Sequence, residues 1–152
     1  MNSLFNFAKD GGEGMTTFDF GDGNGAVPAH RHINPDGTEG GWVADTAYIG
    51  PYAWVFGNAQ VSGFAIVFGH AEVSGFAIIF GHAQVSNCAR VYGDAQVSGY
   101  AKVYGHAQVS GRAKIYGHAQ VFSNAKVYDH AQIFGAAMVS GNVGGDMIVT
   151  GR

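Results

Sequence analysis

The sequence predicts an all-β solenoid: a triangular stack of short parallel strands, about 18 residues to each coil, with a short N-terminal cap. Three observations carry this. Alanine stands at every sixth position from Ala47, Ala53 and Ala59 to Ala137, sixteen times without an insertion. Two residues after each alanine comes Val or Ile, from Ile49 and Val55 through Ile133 to Val139. Two residues after the aliphatic position comes Gly, as at Gly57, Gly63 and Gly69, with Asn87, Ser123 and Asp129 as substitutes. A period of six is two-residue alternation plus a corner, which suits short strands joined by bends and does not suit helices.

Residues 1–40 do not repeat and read as an arm or cap. Lys9-Asp10-Gly11-Gly12-Glu13-Gly14 imposes little backbone preference. Met15 to Phe20 alternates enough for one short strand, which Gly21-Asp22-Gly23-Asn24-Gly25 then breaks. Pro35-Asp36-Gly37 is a turn. The segment is too small to hold a core of its own and should lie on the first coil.

From Gly41 to Gly141 the register is fixed. Written as V-x-G-x-A-x from the aliphatic residue, each hexad turns its Val/Ile and its Ala inward and its second, fourth and sixth residues outward. The third position, with residues that tolerate a left-handed backbone, is the corner, Gly141 included. Three hexads close one coil, and the coils stack by parallel hydrogen bonding at roughly 4.8 Å. The interior is then narrow columns of Ala and Val/Ile. Outside, a second rhythm runs. Position two alternates ring and serine along one face (Phe56, Ser74, Tyr92, Ser110, Tyr128), so that each ring should lie over a small neighbour. In residues 142–152, Val143 and Gly145 stand where Ala and Val belong. This tail is expected to end the shaft and to cover its open strand edge.

Composition fits this reading. At 152 residues the chain is one domain; charged residues are only 12% and 25 residues are Gly, which suits a repetitive β structure with many tight bends. The formal charge of −3 does not point to nucleic acid or membrane. It is uneven: residues 1–45 carry seven acidic against two basic residues, whereas the repeats carry Arg90, Lys102, Arg112, Lys114 and Lys126 against Glu72, Asp94 and Asp129. Five dispersed cations are too few for a nucleic-acid surface. A single cysteine, Cys88, excludes an internal disulfide and is compatible with a reducing compartment. Neither a signal peptide nor an apolar run of membrane length is visible. The expected location is the cytoplasm of a host cell or the inside of a phage particle.

The run Ala-x-Val-x-Gly-x-Ala-x-Val over residues 41–141 resembles the hexapeptide-repeat, left-handed parallel β-helix superfamily. The resemblance implies the left hand of the helix and a homotrimer with shafts side by side. The Gly-x-Ala-x-Val wording and the leader Gly21-Asp22-Gly23-Asn24-Gly25…His30-Arg31-His32…Trp42-Val43-Ala44-Asp45 look like those of small bacterial and phage-encoded repeat proteins.

Chemistry is sparse. Hexapeptide-type carbonic anhydrases build zinc sites from histidines of adjacent subunits, and His82 and His118 share one corner column here. No third ligand follows His118 in the same local motif, so the shaft histidines (His70, His82, His106, His118, His130) read first as turn residues facing water. His30 and His32, two apart on an extended segment near Asp36 and Glu39, are metal candidates; the alternative is that the cap uses them for hydrogen bonds. Acyltransferases of the superfamily use a catalytic His, an excursion loop and a C-terminal segment; these coils carry no insertion, and a smooth prism offers no pocket unless subunits make one. Ice binding would need a Thr lattice, and the shaft has Thr46 alone.

The exposed apolar residues are the stronger signal. Trp54, Phe56, Phe64, Ile66, Phe68, Phe76, Ile78 and Phe80 make the first half of the shaft apolar outside as well as inside, and Ile66 and Ile78 have no role in ring stacking. The expected function is a non-enzymatic structural or protein-binding module without a cofactor, associating with itself and then with a host or particle protein. Glycan stacking on Tyr and Trp rings ranks below these. The rival reading is a hexapeptide-type enzyme, acyltransferase or zinc-dependent, with its site between subunits.

Overall fold

A computed structural model describes residues 16–151; the expectation for the leader before Thr16 lies outside them. No described residue is helical. The chain is a parallel β-solenoid of about six turns, built as three stacked sheets of nine, six and five strands. On the first face the inward residues are Val43, Val61, Ile79, Val97, Ile115, Ile133 and Val149. The second face stacks Ile49, Val67, Val85, Val103, Val121 and Val139. The third stacks Val55, Val73, Val91, Val109 and Val127, with Val143 bridged beneath.

Each hexad holds its neighbour by the same bonds. The N–H groups of positions four, six and two donate to the coil below, as in His82 N to Gly99 O (2.7 Å), Gln84 N to Ala101 O (2.9 Å) and Ser86 N to Val103 O (2.9 Å). The corner carbonyl can turn toward the coil above because the third residue is left-handed. Gly57 to Gly135 in that position have positive φ, and so do the substitutes Asn87, Ser123 and Asp129 at 57–59°. Inside, the Ala and Val/Ile columns from Ala53 to Ile133 are sealed from water. The predicted inward and outward positions hold throughout.

The N-terminal cap is more regular than the sequence suggests. Strand β1 (Thr17–Asp19) pairs antiparallel with β2 (Ala26–Ile33), and β2 pairs antiparallel with β3 (Glu39–Ala44), which opens the first face. The Pro35-Asp36-Gly37 turn is the hairpin tip: Gly37 N–H donates to Asn34 O at 2.8 Å, and Thr38 N–H to the Asp36 carboxylate at 3.0 Å. Phe18 stacks on Trp42 at 4.7 Å and the Arg31 guanidinium lies over the same indole, so the meander is pinned to the shaft wall.

Two expectations are corrected at the other end. Down to Val139 each residue pairs with the one 18 positions on, but Val127 bridges Val143 and Ile133 pairs with Val149, 16 on. The corner between Val139 and Val143 is two residues shorter, and the hexad pattern then resumes two residues ahead of its earlier phase. Gly145 takes the left-handed corner; Gly141, predicted to do so, does not adopt positive φ, because so short a corner does not need it. The tail does not fold back over the edge: Ile148–Gly151 adds to the first face as one more parallel strand.

Candidate functional site

The fourth, sixth and second positions of successive hexads lie side by side across one face, and this sorts the exposed apolar residues into bars. Tyr52-Trp54-Phe56 crosses the third face, Phe64-Ile66-Phe68 the second, and Phe76-Ile78-Phe80 the first. Each bar follows the last by twelve residues, two thirds of a coil, and so lies about 3 Å further along the axis. The apolar half of the shaft is therefore a tilted girdle with one bar per face, and not one broad patch. Tyr52, Phe76 and Phe64 are its most exposed members, at 62%, 61% and 59%. Ile66 and Ile78, expected to stand out, are half-buried between their flanking phenylalanines, as are Trp54 and Phe80. Below the girdle the same positions turn basic, with Arg90, Lys102, Lys114 and Lys126 exposed at the strand centres.

Ring over small neighbour holds at position two on the third face but fails at position four. There Phe64, His82, Tyr100 and His118 form one continuous ladder with centroid separations of 5.2, 4.9 and 5.0 Å and planes within 12°. The Tyr100 ring lies between the imidazoles of His82 and His118, so one copy of the chain cannot bring those two to a common ion. The ladder also bears on glycan stacking, because the interior ring faces are occupied by each other and only edges line the wall. Tyrosines at position two add a side-chain bond, Tyr104 Oη donating to Gln120 Oε1 at 3.0 Å. Cys88 is exposed in the corner column between His70 and His106.

His30 and His32 both have partners in the cap. His30 Nδ1 meets Asp45 Oδ1 at 2.7 Å. His32 Nε2 donates to the Ala53 carbonyl at 3.3 Å, while Asn34 Oδ1 accepts the Val55 N–H at 2.9 Å. Those two backbone groups are the upward edge of the third face's first strand, which lacks a strand above it. His32 and Asn34 thus occupy the place of a missing coil. Among the described residues no group of three His, Cys, Asp or Glu side chains is placed to hold a metal ion.

Burial lowers the His32 pKa from its usual 6.5; the bond to Ala53 opposes this and the nearby His30 adds to it. A histidine with a depressed folded pKa stabilises the fold above its unfolded pKa and loses that stabilisation as pH falls through the folded value. The wild type should therefore lose stability below about pH 6.5 relative to His32→Gln, which can keep the donor without titrating. Urea midpoints of the two proteins between pH 8 and pH 5 check this; parallel midpoints would show that His32 is not the titrating group.

The loop between β1 and β2 overhangs the corner Ser62-Gly63-Phe64. Asp19 and Asp22 carboxylates accept the N–H groups of Gly21 and Asn24 and hold the loop's shape. On either side of Phe20 lies a crevice, of about 390 Å³ and about 320 Å³; Phe20, Asp22 and Ser62 line both. Phe64 lines the first, and Ile78 and Phe80 the second, so the girdle continues under the cap. A third hollow of about 210 Å³ lies beside Phe18, Arg31 and Trp42. The roles of Phe20, Asp22, Asp45 and Ser62 were not legible in the sequence, where the loop reads only as a strand breaker. No family model matches the chain, and neither a curated protein nor a solved structure matches it.

Proposed function

We propose that this chain is a non-enzymatic scaffold, a left-handed β-helix of the hexapeptide-repeat kind, which trimerises side by side and presents its outer surface to a partner protein. The observation that carries this is the girdle. Each face bears one apolar bar at nearly the same level, so parallel shafts standing side by side bring apolar surface against apolar surface whichever faces meet. The bar left free in such a trimer would be the partner's contact. The phage-like wording of the repeats supports a setting in a particle or in the cytoplasm of its host.

The test is the mass in solution. Light scattering should give a trimer for the wild type and a monomer for the Ile66→Lys, Ile78→Lys double variant, which keeps the interior intact and charges two bars. A wild type that is monomeric at tens of micromolar would sink the trimer, and stoichiometric zinc in untagged protein would revive the enzyme.

A further inference from the structure

We propose that the corner beneath the cap loop is a binding site for a basic group carried on an apolar stem: an amine or guanidinium, whether free or on a lysine or arginine side chain of a partner. The inference stands on the cap loop and Ser62, and holds for a monomer as well as an oligomer.

The larger crevice has apolar walls from Phe20, Val27, Pro28 and Phe64. Its polar groups are mostly acceptors. Asp22 and Asp45 both line it, and no Lys, Arg or His lines either crevice beside Phe20. The Asp22 pKa is lowered, chiefly because the Asn24 N–H donates to its carboxylate. Two of its donors are already used: Thr46 Oγ1 donates to the Gly63 carbonyl, and Asn24 Nδ2 donates to Asp22 Oδ2. Beyond the Ser62 hydroxyl, what remains is acceptor capacity. Both Asp22 oxygens accept from Asn24 and Asp45 Oδ1 meets His30 Nδ1, while Asp45 Oδ2 has no partner among the described residues, so the complement is a cation with several N–H groups.

Ser62 is the second, independent observation. It is only 5% exposed, its hydroxyl has no partner among the described residues, and it lines both crevices. A buried hydroxyl without a partner is uncommon and calls for one. Ser86 is the internal comparison. It is equally buried at the same hexad position, between Phe68 and Tyr104 in its column, and lines neither crevice. The packing that isolates Ser86 thus explains the burial of Ser62 but not its place on the floor of a cleft rimmed by carboxylates. The volume of about 390 Å³ is in the range of small-ligand sites.

Amide chemical shifts of the full chain, titrated with 4-phenylbutylamine, 4-phenylbutanol and 4-phenylbutyrate, test this. The amine should saturate shifts at Thr46, Gly63 and Phe64; the alcohol should bind at least tenfold more weakly and the carboxylate not at all. Asp45→Asn should weaken the amine about tenfold and Ser62→Ala severalfold, while Ser86→Ala leaves it unchanged. Asp45→Asn is the primary variant because Asp22 shapes the loop; since Asp45 also meets His30 of β2, the spectrum of β1–β3 reports whether the cap is intact. The peptide acetyl-Phe-Gly-Arg-amide separates the sources. Tighter binding than the free amine assigns the site to a partner side chain, and weaker binding assigns it to small amines. Equal affinity for amine and alcohol, saturable shifts only outside this corner, or an Asp45→Asn protein with an intact cap and undiminished binding would each overturn the proposal.

Discussion

Replacing Gly41 by alanine is expected to destabilise the junction of cap and shaft by on the order of 3–5 kcal/mol, while Gly57→Ala costs about 1–2 kcal/mol. The two positions take glycine for different reasons. Gly41 has an ordinary φ and lies buried in β3; a Cβ there would be driven into the carbonyl oxygen of Ala59 and against Val55 Cγ1 at 3.0 Å. Both obstacles belong to the sealed first coil and cannot move aside cheaply. Gly57 is a left-handed corner (φ 54°) with nothing within 4 Å of the added carbon, so only its backbone preference opposes the change. Because a solenoid transmits stability coil to coil, the Gly41 defect should appear first as lost amide-exchange protection in β2 and β3, then as a lower urea midpoint. Equal midpoints for the two variants would mean that the first coil is loose enough to admit a methyl group.

What the sequence made legible is what repeats along the chain. The Val/Ile and Ala columns, the left-handed corners and even the non-glycine substitutes Asn87, Ser123 and Asp129 follow from alternation and from which residues tolerate positive φ. What it hid are relations between coils. A twelve-residue outer rhythm over an 18-residue coil puts successive bars on different faces, so a run that reads as one apolar half becomes a girdle. Position four alternates ring and His, which reads as large over small until the stacking of Phe64, His82, Tyr100 and His118 shows a ladder. Strand β2 contains Pro28 and pairs antiparallel, so neither period nor propensity marks it. The shortened corner after Val139 looks like the end of the pattern because a change of pairing offset is invisible without the pairing. His30 and His32 illustrate the same limit: two imidazoles on one strand suggest a shared ion, and only the position of the Ala53 carbonyl and the Asp45 carboxylate shows what each contacts.

Ala101→Leu at mid-shaft is expected to lower stability by about 3 kcal/mol or more, against less than about 1.5 kcal/mol for Val103→Ile two residues away. Both side chains are sealed from water, so exposure does not separate them. Room does. Ala101 stands just past a corner, in a column whose neighbours one coil away are Ala83 and Ala119, where the first and second faces meet. Leucine adds three carbons facing a backbone held to both neighbouring coils, since Gln84 N donates to Ala101 O and Lys102 N to Ala119 O, each at 2.9 Å. Relief requires opening those bonds. Val103 lies mid-face, where the first face carries Ile79, Ile115 and Ile133 in the equivalent inward position, so one more methylene is within what the cross-section accommodates. In a one-dimensional stack the Leu defect should also divide the shaft, giving two unfolding steps where the wild type gives one. Urea titration with amide exchange on either side of residue 101 measures both effects. A single transition near the wild-type midpoint would mean that the alanine columns leave empty space, and that the corners, not the interior, dictate the six-residue step.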